Sequence, residues 1–323
     1  MNEILDQFKT KKVLVIGDIM LDKYIFGNVA RISPEAPVPV IEVEKENHVP
    51  GGAGNTAANV AVLGAKTYLT GLVGEDLQKS ILLNLLKKSN INIDGVFVDK
   101  NRPTIQKIRV MSKNHQLIRI DYEKKDRLDN DFEKSILDYI KKMINKVKIV
   151  IISDYAKGVV TENIAKHTIA LARERNIQVI VDPKPQNKRF YHNATIITPN
   201  LKEAYQMANS GEDEKIENIG SRLQEELNSK ILITMGEKGI SLFERGSSIV
   251  NIPTKAKEVF DVSGAGDTVI ATLSLAIASG ASAREAAIIA NHAAGIKVGK
   301  LGTSTVTIEE IKKSLENDKS DIY

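Results

Sequence analysis

The chain has 323 residues, room for one large α/β domain or two ordinary ones, and its 42% hydrophobic content can fill a sizeable core. The 45 Lys and Arg against 41 Asp and Glu leave a net charge of only +4, with the basic residues spread rather than striped, which argues against nucleic acid as a partner. Cysteine is absent, no apolar run is long enough to span a bilayer, and the charged start MNEILDQFKTKK has no signal core; a protein of the reducing cytoplasm with no membrane partner is expected.

Lys12–Asp18 (KVLVIGD) is a continuous apolar run closed by Gly and Asp, the pattern of a strand buried on both faces. Residues 22–49 break that pattern with short alternating runs and Pro, Gly or Asn turns, as does 103–122. Both suit antiparallel strands with one wet face, and together they are expected to form a small accessory sheet that covers a site as a lid. Between them Gly51-Gly52-Ala53-Gly54-Asn55 opens a small-residue helix, TAANVAVLGA. Further apolar runs follow at Lys148–Asp154, Gln178–Asp182, Ala194–Asn200 and Lys230–Gly236, separated by helical segments. Strand alternating with helix predicts a mostly parallel sheet. The runs end in Asp18, Asp154, Asp182, Asn200, Thr234 and Gly236, at the carboxyl ends where open α/β sheets bind ligands, although Asp and Asn also favour turns for their own sake.

The most informative stretch is 258–280, EVFDVSGAGDTVIATLSLAIASG. Gly264, Ala265 and Gly266 open a helix whose first amides, with the helix dipole, would seat an anion. Asp267 beside them is a candidate base, or simply a capping residue in a glycine turn. Asn200-Leu201-Lys202-Glu203 places a carboxylate one turn into a helix, either to hold Mg²⁺ directly or through water, or as an ordinary cap. Three glycine turns, at 51–55, 234–239 and 264–267, suggest a ligand with several anionic groups, such as a nucleoside triphosphate with a phosphorylated or hydroxyl-rich acceptor. The P-loop pattern is missing, and Gly17 runs straight into Asp18 with no dinucleotide fingerprint.

Asp261-Val-Ser-Gly-Ala-Gly-Asp267, the Gly51-Gly52…Asn55 turn, Asn200…Glu203 and Thr234…Gly239 together resemble the ribokinase (PfkB) carbohydrate kinase family over nearly the whole chain. Within it, residues 17–40, 51–65, 102–121, SDYAKG at 153–158 and VDPK at 181–184 are similar to the heptose 7-phosphate kinases of the ADP-heptose pathway, with RISPEAPVPV the most diagnostic segment.

The resemblance implies a single ribokinase-like domain over 1–323, a three-layer α/β sandwich with a mostly parallel central sheet and a small β-sheet lid. It implies phosphoryl transfer from ATP, with Mg²⁺, to the anomeric hydroxyl of a heptose 7-phosphate. Asp267 would be the base, with the Gly264, Ala265 and Gly266 amides stabilising the transferring group. Asp18 and Asp22 would hold sugar hydroxyls with Gly51, Gly52 and Asn55 beside them, Asp154 would also bind the substrate, and Lys107, Arg109 and Lys157 would take its phosphate. Lys184, Asn200, Glu203, Thr234, Gly236 and Gly239 would line the nucleotide side, with Asn291 at the adenine edge and Glu203 holding Mg²⁺ through water. A monovalent cation such as K⁺ would sit near Asp261 and the carbonyls of Val298–Gly302. Many such relatives carry a second, nucleotidyltransferase domain with an HxGH motif; this sequence has no such motif, so a monofunctional kinase is expected.

The alternatives are a kinase of the same family for a hexose phosphate or pentose, a non-catalytic nucleotide- or sugar-binding regulator, and a Rossmann oxidoreductase, which the missing fingerprint disfavours. The five histidines (His48, His115, His167, His192, His292) have no metal-ligand spacing and read as surface or loop residues. Ile25, Val38, Val40 and Ile41 in the accessory sheet predict a covered apolar face and a homodimer.

Overall fold

Strand β1 (Lys12–Gly17) shows why the chain folds in layers. Alternate side chains leave a strand on opposite faces, and here both faces are apolar: Val13 and Val15 join one buried cluster, Leu14 and Ile16 another. Such a strand is stable only between two layers of helices.

The computed structural model describes residues 1–113, 115–124, 128–256, 258–300 and 304–318. After β1 come β2 (Ile19–Ile32), β3 (Pro39–Gly52), β4 (Lys66–Gly74), β5 (Ile91–Asp99), β6 (Ile105–Ser112) and β7 (His115–Tyr122). The second half holds β8 (Ile149–Ser153), β9 (Gln178–Asp182), β10 (Ile196–Ile197), β11 (Lys230–Thr234), β12 (Ile240–Phe243) and β13 (Val250–Ile252). The helices are α1 (Asn2–Asp6), α2 (Ala53–Val62), α3 (Leu77–Lys88), α4 (Asn130–Ile144) and α5 (Glu162–Glu174), then α6 (Leu201–Met207), α7 (Ile216–Leu227), α8 (Ala265–Ala278), α9 (Ala283–Val298) and α10 (Ile308–Asn317).

Among the described residues nine strands form the larger sheet, in the order β13-β12-β11-β10-β9-β8-β1-β4-β5. It is parallel from β11 across to β5, and only β12 and β13 run antiparallel at one edge. Helices α2, α3, α8, α9 and α10 bury their apolar faces on one side, and α4, α5, α6 and α7 on the other. Helix α8 is apolar nearly all round because it is enclosed: every residue from Asp267 to Ile277 is buried.

The second sheet has four strands in the order β3-β2-β6-β7. Its strands come from the two segments expected to form it, with Asn114 of the second segment outside the described residues. Strands β2 and β3 run antiparallel over 14 residues each, with register shifts at Phe26/Gly27 and Val29/Arg31. Only Asp18 separates β1 from β2, and Ala53 N–H donates to the Asp18 carbonyl at 3.0 Å; the small sheet therefore leaves the large one at the edge of the site.

Four of the expected runs are strands at nearly the expected bounds. Ala194–Asn200 shortens to Ile196–Ile197 plus a lone parallel bridge between Asn200 and Thr234, because Pro199 cannot donate to a ladder. Strands β4, β5, β12 and β13 were not separately expected. His292 corrects the reading of the histidines as surface or loop residues: it lies in α9, is 1% exposed and bonds Ser314 Oγ at 2.8 Å through Nδ1. The apolar exposure of the small sheet also falls elsewhere than expected. Val38 is exposed, whereas Ile25, Val40 and Ile41 are half-buried, and Val29, Ile32, Val43, Leu117, Ile118, Ile120 and Tyr122 are exposed as well. Among the described residues no helix is long and apolar enough to cross a membrane.

Gly17 closes β1 with its Cα against the Ser153 carbonyl of β8, and a methyl group there would overlap that oxygen. Both atoms belong to backbone in the middle of the sheet, so neither side can yield cheaply. Gly17→Ala is expected to lower stability by about 1–3 kcal/mol, the usual cost of overpacking, read as a lower urea midpoint at unchanged slope.

Candidate active site

Two remote segments converge on the Asp267 carboxylate in the first turn of α8. Asn55 Nδ2 donates to its Oδ2 at 2.6 Å, Thr56 Oγ1 to Oδ1 at 2.6 Å and Tyr155 Oη to Oδ1 at 3.1 Å. Asn55 and Thr56 come from the start of α2, after the Gly51-Gly52 turn, and Tyr155 from the loop after β8. Asp267 is 7% exposed, and burial raises its pKa above the usual carboxylate value while the three donors pull it back. A carboxylate held this way is fixed in direction and more basic than one in water, as proton abstraction requires. Gly264 precedes the helix with φ +76°, a left-handed conformation that suits glycine, and a side chain at Gly266 would meet open space. The helix start thus presents bare backbone to a cleft.

Two clefts meet at this point. One is lined by Tyr155, Asp182, Lys184, Thr198, Asn200, Glu203, Thr234, Gly264, Gly266 and Asp267. In it Lys184 Nζ pairs with Glu203 Oε1 at 2.5 Å and stands 5.4 Å from the Tyr155 ring centroid. Asp182 is half-buried beside Lys184 and Glu203, and its pKa is raised well above normal, chiefly by loss of solvation. The other is a cavity of about 620 Å³ between the 234–240 turn, residues 254–262 and α9, lined by Met235, Ile240, Val259, Val262, Ala294 and Val298 with Asn291 among them. It is apolar, broad and open to the α8 start through Ala265 and Gly266.

On the small sheet, Asp22 Oδ1 accepts from Arg109 Nη1 at 2.8 Å, and the Arg109 guanidinium stacks 5.3 Å from the Tyr24 ring centroid. Lys107 lies two residues before Arg109 and is half-buried. Its pKa is lowered, first by burial and then by the neighbouring Lys157 charge. Lys157 in turn pairs with Glu123 at 2.5 Å. Three cations thus gather where the small sheet faces the post-β8 loop.

The profile of the pfkB family of carbohydrate kinases matches residues 10–310. The chain belongs to that family. It is a phosphotransferase acting on a sugar. It is 46% identical over 307 residues to the Bifunctional protein HldE of Geobacter sulfurreducens, covering 94% of this chain and 62% of that one. It is 43% identical to the HldE of Helicobacter pylori, covering 93% and 65%. The chain therefore spans just under two thirds of the length of these relatives. The fold is ribokinase-like: it matches the Escherichia coli phosphofructokinase-2 structure containing potassium with a TM-score of 0.79 at 17% identity, covering 95% of this chain and 98% of that one. The Arabidopsis thaliana ribokinase complexed with ribose and ATP gives 0.75 at 21%, covering 95% and 99%.

The geometry of this family member brings most of the expected residues together but redistributes their work. Asp18 is fully buried; its Oδ2 accepts from the Tyr155 and Lys157 amides and its Oδ1 from the Val159 amide, each at 3.0 Å. It shapes the loop that carries Tyr155, with backbone amides taking three of the carboxylate's roughly four acceptor positions. Asp154 likewise spends its carboxylate on the Ala156 amide, Asn187 and Tyr191, tethering the Pro185–Tyr191 turn rather than facing the sugar side. The Ala265 amide donates to the Val262 carbonyl at 3.2 Å, so of the three expected seat amides it is engaged within the turn. Asn291 borders the apolar cavity, yet its Nδ2 donates to the Pro253 carbonyl at 2.7 Å and holds that wall. Asn200 and Glu203 form a full capping box, with Glu203 also pairing Lys184, so the cap and the site are one structure. Asp22, Gly51 and Gly52 lie together, the Gly51 backbone against the Asp22 carboxylate.

Near Asp261, Oδ1 accepts from the Ser263 amide at 2.8 Å, and the Val298 carbonyl accepts from the Phe260 and Asp261 amides at 2.8 and 3.2 Å. Of the carbonyls expected there, Leu301 and Gly302 lie outside the described residues. Sequence reasoning missed Thr56, Tyr155 and Asp182. The first two directly follow residues it selected, Asn55 and Asp154, and Asp182 ends a run it recognised.

Burial and the neighbouring Asp154 raise the Asp18 pKa from 3.8 to about 6. Between these values the folded chain holds a proton that the unfolded chain has lost, so stability is full below the lower value and falls as pH rises through the upper one. The loss assignable to Asp18 is about 3 kcal/mol from the size of the shift. Urea unfolding of wild type and Asp18→Asn from about pH 4 to about pH 7 checks it, since the variant should lack this part of the decline.

Proposed function

We propose that the chain is an ATP-dependent kinase that phosphorylates the anomeric C-1 hydroxyl of D-glycero-D-manno-heptose 7-phosphate, giving the 1,7-bisphosphate. The observation that carries the reading is the position of Asp267, a buried carboxylate held by three donors where a basic sugar side and a nucleotide side meet. The anomeric oxygen attacks the γ-phosphorus as Asp267 takes its proton, the bond to the bridging oxygen breaks, and ADP leaves. The backbone of Gly264 and Gly266, at the positive end of α8, faces the charge on the transferring group. The apolar cavity beside Asn291 suits an adenine ring, and Gly236 and Gly239 let the 234–239 turn pass close to the nucleotide.

The substrate's own phosphate fits Lys107, Arg109 and Lys157, the cations gathered at the small sheet. Heptose rather than another sugar is supported by the RISPEAPVPV segment between β2 and β3, which belongs to the small sheet that lies over the sugar side. The donor set suits a divalent cation bridged by water. Asp182 and Glu203 are hard oxygen ligands on the nucleotide side, while no group of three or more metal-binding side chains is assembled among the described residues. Mg²⁺ there would neutralise triphosphate charge, held through water by Glu203 and Asp182. The exposed apolar residues of the small sheet support a homodimer formed through that sheet.

ADP release with Mg-ATP across heptose 7-phosphate in both anomeric forms, fructose 6-phosphate, fructose 1-phosphate and ribose tests the reading. Turnover confined to heptose 7-phosphate is expected, and preference for another sugar overturns the heptose assignment while keeping the kinase. Asp267→Asn should cost at least about 10²-fold in turnover, the lower end of base catalysis, with ATP affinity nearly unchanged. A variant keeping more than about a tenth of wild-type turnover removes the base assignment. Lys107→Met should raise KM for the sugar phosphate about tenfold, as expected for one charged hydrogen bond, and leave KM for ATP alone. Equal effects on both substrates would place the phosphate elsewhere.

A further inference from the structure

Lysine is almost never fully buried unless its charge is answered, and Lys297 in the last turn of α9 is 2% exposed. Its stem runs against the glycine turn that opens α8: a methyl group built on Gly264 would lie 3.6 Å from Lys297 Cε. Its charge interacts favourably with Asp261 and Asp267 and unfavourably with Lys300, while burial pulls its pKa below the ordinary lysine value.

Among the described residues the same place offers a bound alkali cation few open oxygens. The Val298 carbonyl already accepts two amides and Asp261 Oδ1 accepts a third, and a second monovalent charge would stand beside a fixed ammonium with little water between them. We propose that the Lys297 ammonium is a built-in monovalent cation beneath the glycine seat, fixing the Asp261–Gly264 turn and offsetting phosphate charge, so that this chain needs no added alkali cation. This rests on the reading that the seat receives the nucleotide's phosphates. Lys297 acts through the turn and is a positioning residue. A lysine carried on a helix is present at every salt concentration, whereas a bound ion must be gathered from solution against its hydration.

The test is calorimetric binding of a non-hydrolysable ATP analogue with Mg²⁺ to the full chain, in potassium chloride and in tetramethylammonium chloride at equal ionic strength. For the wild type the two affinities should agree within about twofold, and the melting temperature should not rise specifically with potassium. Lys297→Met keeps the apolar stem and removes the charge. It should weaken binding about tenfold in tetramethylammonium, the scale of one charged interaction, and ammonium or potassium should recover part of the loss. Recovery by a small cation is the response that mere packing would not give. Tightening of wild-type binding by potassium of more than about fivefold overturns the proposal without any variant. So does a folded Lys297→Met that binds as tightly as wild type, or one that no small cation restores. Absence of analogue binding in both salts would remove the seat itself. The readout involves no sugar, so an error in the heptose assignment cannot produce any of these results.

Discussion

The Asp267 carboxylate can be buried only because three donors reach it, and those donors tie the rest of the architecture together. Asn55 and Thr56 require α2 to start where β3 ends. Tyr155 requires the loop after β8 to turn back towards α8, and that turn is held by three amides on the Asp18 carboxylate at the end of β1. One aspartate thus builds the loop that supplies a donor to another. Removing a charge-assisted bond from such a buried set leaves a polar group unsatisfied, so the cost falls on the fold as well as on the chemistry.

The electrostatic pattern follows from the same crowding. Asp18, Asp154 and Asp182 are drawn inward at the carboxyl ends of β1, β8 and β9 and Asp267 at the start of α8, and burial raises the pKa of each. The cations are placed around them with different partners. Lys184 answers Glu203 and Asp182, and Lys157 answers Glu123 beside Lys107 on the sugar side. The site therefore gathers carboxylates at its centre, where burial disfavours their charged form, and cations around them, an arrangement suited to a ligand that brings phosphates to the rim and a divalent cation towards the centre.

Much of this was legible in the sequence. The apolar runs of β1, β8, β9 and β11 stand out because strands buried on both faces need no alternation, and the residues that end them gather at one edge of the sheet. The resemblance of the Asp261–Asp267 stretch pointed to the family whose profile matches the chain. What could not be read was which polar residue serves fold and which serves site. Asp18 and Asp22 look alike four residues apart, yet one is consumed by amides 137 to 141 residues away and the other meets Arg109 across two strands. Tyr155 carries no local signal, because its role depends on a partner 112 residues distant. Lys297 reads as a basic residue in the last turn of a helix, a common favourable placement, until its burial is known.

The junction of the two sheets has a consequence for how sugar and nucleotide sides communicate. The small sheet joins β1 through Asp18 before β2 and joins α2 directly at Gly52, the end of β3, and the Ala53 amide bonds the Asp18 carbonyl between them. Gly52 has φ +56° and packs its Cα against that same carbonyl, so the joint tolerates little local bulk. Asn55 and Thr56 follow within one helical turn. A rotation of the small sheet about this joint would therefore pull on the residues that orient Asp267, and on the proposed reading a sugar that fixes the small sheet would also fix the base. On the proposed reading, a cover and a base placed on opposite sides of one short, glycine-bearing link would make assembly of the site depend on occupancy of the sugar side, and so limit phosphoryl transfer to water when no acceptor is bound.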